Sequence, residues 1–465
     1  NSKNSNFFEG KLLLVLDLMN KKKYIQASNT IKSFNVSNEN TYEFIIIKTL
    51  ESFNNLFKNK KLQYSTSDFG KLSLIVNAFQ NCYLDSNKTD SHFLNLINSA
   101  EGDYSRYLFF YLSNVIENKD YKTAKQISKT IEPFSSTLLI SQSKEWIDNK
   151  NYKKFNKHFS CQNENDLLSE FFFLISNLYS SQNIIETSNF YLSVSNYLNP
   201  KFYFNLSLLA ENYYDNDNFE ISREILEKFS SEDEIYFWYK IKKIAQIISE
   251  EENDDKSLKY IEDNISGIKQ RSPKILFDLA NIYKNFENYK IAIDHYTQVL
   301  NQIDKNSNMY ADVLYRRGGT YERLKNYSKA DKDLLMSLNI RPDHAYTLNY
   351  LSYSWLERNI KIEQAMKMLM RAYEIRENDP YITDSVGWGY YLIGDFINAE
   401  KYLRKAVELM PDDPIVNDHY GDVLWQLDRK LQAKYFWEHV LELEDTEEEM
   451  KKNIENKLID GPRKI

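Results

Sequence analysis

Several residue groups in this sequence have types and spacing that could do chemistry. Gly387-x-Gly389 with Gly394 has the outline of a phosphate loop, where bare backbone N–H groups close around an anion. Asp384-Ser385 and Asp418-His419 set carboxylates beside a hydroxyl and an imidazole, fragments of a nucleophile–base–acid relay. His419 and His439 lie twenty residues apart, the nearest pair among six histidines, and Cys82 and Cys161 are the two cysteines. None of these meets its own requirement. A phosphate loop follows a strand and opens a helix, whereas the first two glycines fall inside a predicted helix and Gly394 in its turn. Metal sites need closer ligand spacing, with no HExxH or CxxC present. A triad needs three groups converging on a rigid framework, which nothing here implies. The expectation is therefore no catalytic residues, no metal and no cofactor.

The elements that carry these residues explain them better. Gly387 and Gly421 are 34 residues apart, and Ser352 stands 35 before Gly387. Each small residue is followed by a large one and then by an alanine: Trp355 and Ala365, Tyr390 and Ala399, Leu424 and Ala433. The same order appears as Gly318, Tyr321 and Ala330, and earlier as Ala280, Tyr283 and Ala292. One extra residue near 359–361 accounts for the spacing of 35. A period of this size marks an array of small helical hairpins. The small residue on the first helix and the alanine on the second let two backbones approach, and the large residue fills the space beside them. A hairpin this small must stack on neighbours to bury its apolar face. Pro380, Pro411 and Pro414 fall between units, where one helix stops and another starts. The fold class expected is all-α, a solenoid of antiparallel helix hairpins.

The quoted run resembles the tetratricopeptide repeat (TPR). Val386-Gly387-Trp388-Gly389-Tyr390 with Ala399, Ala406 and Pro411 fits it, as does Tyr420-Gly421-Asp422-Val423-Leu424 with Ala433. The resemblance implies a right-handed superhelix whose first helices line a concave groove. The residues matching groove positions are Tyr346, Asn349, Tyr353, Tyr381, Asp384, Trp388, Tyr391, Asp418, Asp422 and Trp425. The repeat-packing set is Gly318, Ala330, Ser352, Ala365, Gly387, Ala399, Gly421 and Ala433. Family members that bind chaperone tails hold a terminal carboxylate with Lys, Asn and Arg. Here Asn349 and Asn281 fit loosely and the lysines are missing, so an acidic tail is not the expected ligand. Rings beside carboxylates suit a partner with apolar and basic groups instead. The wider run from Tyr350 to Leu427 is also similar to exported bacterial TPR proteins, some of them outer-membrane lipoproteins and one the adaptor of a periplasmic processing protease. That likeness implies the bacterial envelope, with the cytoplasm as the alternative.

Composition agrees with a repeat array. The chain has 465 residues, 35 Tyr and 27 Phe but only 11 Gly and 8 Pro, too few turn formers for an all-β chain of this length. A net charge of −8 argues against a nucleic-acid backbone binder. Leu12–Leu16 reads as a helix rather than a signal peptide, and the apolar runs Phe44–Ile47 and Phe171–Ile175 are too short to span a bilayer. The first residue is Asn1 rather than Met, from which we expect upstream residues, with room there for an export signal or anchor. Four regions are expected: degenerate helical repeats over 1–160, divergent TPR-like repeats over 161–270, regular repeats over 271–445, and a capping helix and tail over 446–465. The acidic run 249–255 reads as a turn. The function expected is a non-catalytic scaffold or adaptor for a partner protein or peptide. The alternative is a regulatory or substrate-binding region of a larger enzyme with its catalytic domain outside this chain.

Overall fold

The computed structural model describes residues 7–36, 38, 41–63, 71–99, 104–269 and 271–462. Among the described residues there are helices and turns but no strands. The chain forms two compact units, Asn1–Ser272 and Pro273–Ile465.

The first unit holds α1 (Phe8–Asn20), α2 (Tyr24–Lys32), α3 (Tyr42–Asn59), α4 (Leu72–Tyr83), α5 (Thr89–Ile97), α6 (Tyr107–Glu117), α7 (Tyr121–Thr130), α8 (Leu138–Asp148), α9 (Lys153–His158), α10 (Glu164–Ser180), α11 (Ile185–Leu198), α12 (Leu206–Tyr214), α13 (Phe219–Leu226), α14 (Glu234–Glu251) and α15 (Asp254–Asn264). Its helices pair as hairpins, but helices far apart in sequence also close on one another. Phe53 of α3 meets Phe171 of α10, and Tyr42 meets Tyr179. The Trp146 indole donates to Asp233, and Gln142 of α8 accepts from the backbone N–H of Ile235 in α14. A packed aromatic core fills the space these helices enclose. Cys82 at the end of α4 is disulfide-bonded to Cys161, 79 residues on, a pairing the sequence left open. The acidic run does hold the turn, but a shorter one than expected: α14 continues to Glu251 and α15 begins at Asp254, leaving only Glu252 and Asn253 between them. Asn253 caps α15 by accepting from the Lys256 N–H, and Asp254 and Asp255 sit in its first turn, where the helix dipole favours negative charge.

The second unit is regular. It holds α16 (Pro273–Asn285), α17 (Tyr289–Leu300), α18 (Asn308–Arg323), α19 (Tyr327–Ile340), α20 (Ala345–Glu357), α21 (Ile362–Ile375), α22 (Pro380–Leu392), α23 (Phe396–Leu409), α24 (Pro414–Gln426), α25 (Lys430–Glu442) and α26 (Glu448–Asp460). Successive helices pair, α16 with α17 through α24 with α25. The large residue of each repeat has a second role at the turn. The carbonyls of Tyr283, Tyr321, Trp355, Tyr390 and Leu424 accept the N–H of the residue five positions on, closing each first helix. One residue in each turn is left-handed: Glu287, Lys325, Asn359, Gly394 and Asp428. The repeat with the extra residue has a second one, Lys361, which absorbs the insertion. Asp379 and Asp413 cap the following first helices, each ahead of a proline.

Ala365, Ala399 and Ala433 are fully buried, and a Cβ added to Gly387 would meet Leu403 Cγ at 2.6 Å. The partner across each small residue lies four places after the alanine: Leu334 faces Gly318, Leu403 faces Gly387 and Trp437 faces Gly421. α26 is offset from α24 by one repeat, so it stands where a further first helix would. Tyr420 and Leu424 become Ile454 and Leu458 in it. Glu455 occupies the place of Gly421, so no second helix could close on α26 as α25 closes on α24.

Candidate functional site

The first helices of the second unit carry every residue predicted for the groove, and the structure joins many of them into a ladder. On each rung a carboxylate of one first helix accepts from a donor on the next. Glu322 accepts from Tyr350 Oη at 3.2 Å, and Glu357 from Trp388 Nε1 at 2.6 Å. Asp384 lies 3.0 Å from His419 Nδ1 through both oxygens. Asp418 and Asp422 both accept from Lys457 Nζ, at 2.6 Å and 2.8 Å. The rise of one repeat brings residues 28 to 39 positions apart side by side, and no local motif announces these pairs.

The ten predicted residues therefore divide. Asp384, Tyr391, Asp418 and Asp422 are buried, and three of them are rungs of the ladder. Tyr391 stacks on Trp388 at 4.6 Å and accepts from Gln426. Trp388, half-buried, also stacks on His419 at 3.9 Å. Trp425 packs against Trp437, and Gly461 lies so close that a Cβ there would touch its indole at 2.5 Å. Tyr353 and Asn349 are half-buried, and the Asn349 Oδ1 is buried without a partner. Tyr346 and Tyr381 are open, 37% and 58% exposed. The sequence reading missed Ile415, 55% exposed at the same place in the next repeat, and Lys457.

Burial alone would lower the His419 pKa, but Asp384, with Asp418 and Asp422 beyond it, raises it overall. Burial and the neighbouring Asp418 carboxylate push Asp422 up to about 6 despite Lys457. Below α26 and the first helices lies a cavity of about 950 Å³, lined by Trp388, Tyr391, Asp418, His419 and Asp422 on one side and by Met450, Asn453 and Lys457 on the other.

The relay fragments do not assemble into a triad. Asp384 and His419 do meet, but Ser385 Oγ donates to the Tyr381 carbonyl. Gly387 and Gly389 lie inside α22. No group of three or more metal-ligating side chains occurs among the described residues. Nor is any described helix long and apolar enough to cross a membrane.

Comparison with known proteins gives the repeat its name. The family model "Tetratricopeptide repeat" matches residues 311–344. The chain is 32% identical over 91 residues to the TPR repeat-containing protein PA4667 of Pseudomonas aeruginosa, covering 20% of this chain and 15% of that protein. It thus spans about one-seventh of that curated relative's length. Among solved structures, TTC0263, a thermophilic TPR protein of Thermus thermophilus, superposes at TM-score 0.36 and 18% identity, over 40% of this chain and 100% of that one. A tetratricopeptide repeat protein from Parabacteroides merdae gives TM-score 0.44 and 14% identity, over 54% and 97%. The matched repeat, the curated relative and the five regular hairpins of the second unit agree: this chain carries tetratricopeptide repeats in an all-α array.

Proposed function

We propose that this chain is a non-catalytic adaptor that holds a partner protein or peptide on the first-helix face of its regular repeats, outside the cytoplasm in a bacterial envelope. One observation carries the binding part. Tyr346, Tyr381 and Ile415 occupy the same place in three successive first helices and remain 37%, 58% and 55% exposed, while their neighbours on those helices are engaged in the ladder. Large rings held on rigid helices give contact area at little entropic cost. Asp379, which accepts from Tyr346 Oη, and Arg376, over the same ring, set charge beside the column. A partner segment that lays apolar side chains along this column and pairs polar ones at its edge fits it. The location draws support from the Cys82–Cys161 disulfide, since oxidising compartments keep such bonds and the cytoplasm reduces them. The likeness to exported TPR proteins points the same way.

The test is site-specific photo-crosslinking in native cells. A crosslinker at 346 or 381 is expected to trap one and the same protein. The control is Leu431, an exposed apolar residue on a second helix, 87% accessible. If 346 and 381 trap nothing, or nothing beyond what Leu431 traps, the first-helix face is not where the partner binds.

A further inference from the structure

The last rung of the ladder differs from the rest. Elsewhere the donor sits on a first helix held in place by its own hairpin partner. Here the donor is Lys457, on α26, where Glu455 stands at the place that Gly421 holds against its second helix in the preceding repeat. α26 buries one side chain fully, Ile454, with Met450 and Leu458 partly covered. Two largely buried carboxylates, Asp418 and Asp422, converge on the Lys457 ammonium group. The cavity lined by Trp388, Tyr391 and His419 runs beneath it.

From this we infer that α26 is a self-ligand, occupying a helix-docking slot that a partner's lysine-bearing amphipathic helix takes in exchange. The slot itself states the pattern it accepts. Met450, Ile454 and Leu458 are spaced by four, with Lys457 beside the last, so the incoming helix needs apolar residues at i, i+4 and i+8 and a basic residue at i+7. Charge complementarity selects the cation. A helix with an acidic or apolar residue at i+7 would leave Asp418 and Asp422 facing each other without a counter-ion, a costly arrangement for buried carboxylates. The tethered α26 competes at high local concentration, so the slot opens to a partner only when that partner matches the pattern and adds contacts beyond it. The column at Tyr346, Tyr381 and Ile415 could supply those contacts. The inference rests on the adaptor reading for its biological sense but not for its test.

The experiment uses the full chain and a labelled synthetic peptide of residues 446–462, read by fluorescence anisotropy. The wild-type chain, with its own helix docked, is expected to bind the peptide weakly. Lys457→Glu in the chain repels its own helix from the two aspartates, and the wild-type peptide should then bind at least about tenfold more tightly. The peptide carrying the same Lys457→Glu change should not bind either chain. Equal affinity of both chains for the wild-type peptide, or equal binding of both peptides to the variant chain, overturns the inference. So does a concentration-dependent doubling of the variant's mass by light scattering, which would make a second copy of this chain the occupant. If Lys457→Glu lowers helicity across the array, hydrogen exchange of the wild-type chain decides. α26 amides that exchange well ahead of α24 and α25 support an exchangeable helix, and exchange together with α25 overturns it. Failure of the crosslinking test at 346 and 381 would leave these outcomes unchanged, so the two readings fail separately.

Discussion

Replacing Gly421 with alanine should loosen the C-terminal hairpin, although alanine is the better helix former. An ideal Cβ on Gly421 would overlap Trp437 Nε1 and lies 2.6 Å from its Cδ1 and 3.0 Å from its Cε2. Trp437 is fully buried, with Trp425 at 5.4 Å, so the rigid indole has little room to retreat. Overpacking of this kind costs about 1–3 kcal/mol, while alanine over glycine inside a helix returns about 1 kcal/mol. The net is a loss of up to about 2 kcal/mol. Gly319→Ala is the matched control. Its Cβ would meet only the far end of the Tyr350 side chain, the hydroxyl at 3.3 Å and Cζ at 3.4 Å, which can give by a few tenths of an ångström, so the helical gain should survive. The same added methyl group should therefore separate the two variants by about 1–3 kcal/mol. A single melting temperature would blur this, because repeat arrays open locally. Native-state hydrogen exchange of the α24 and α25 amides reads it directly. Equal protection in the two variants would refute the assignment of Gly421 as the contact point of that hairpin.

Three further outcomes are expected. Reducing the Cys82–Cys161 bond removes a 79-residue closed loop, worth about 4.5 kcal/mol in the loop-entropy view; hydrogen exchange should quicken in α4 and α10, with amides of α20 to α25 unchanged. Gly394→Ala adds a side chain into open space but at φ +81°, so it should cost about 1 kcal/mol from backbone strain alone, and Gly394→Asn should cost less. The raised His419 pKa sets a pH dependence: its pairing with Asp384 contributes fully below the ordinary imidazole value of 6.5 and fades as pH rises through the higher folded value. Melting followed upward from about pH 6 should therefore fall more for the wild type than for Asp384→Asn, and parallel curves would remove the pair from the stability account.

The regular repeats were legible because their packing is local. Small residue, large residue and alanine recur within one hairpin, and each meets a neighbour fewer than twenty positions away. The turn was legible too, down to the extra residue that the structure resolves as a second left-handed position at Lys361. The groove was legible only in part. Period fixes which helix a residue is on and roughly which way it faces, but not whether the next repeat has already bonded it. Asp384 and Asp418 looked available because their partners, His419 and Lys457, lie 35 and 39 residues on. The first unit hid more. Its aromatic residues meet across 100 residues or more, as Phe53 meets Phe171, so no repeat-length window could show that its helices close around a core. The disulfide hid for the same reason.

The ladder also gives the second unit a direction that its backbone repeat lacks. Along the rungs of the first-helix face the acceptor belongs to the earlier helix and the donor to the later one. Asp312 with Arg341 and Asp343 with Arg371 repeat that order away from those rungs. A helix added after α24 must therefore bring a donor to Asp418 and Asp422, and α26 does so with Lys457. A helix added in the opposite sense would set carboxylate against carboxylate, so the charge pattern rejects it before shape is tested. The polarity of the rungs thus specifies the charge that a helix must carry to join them at this face.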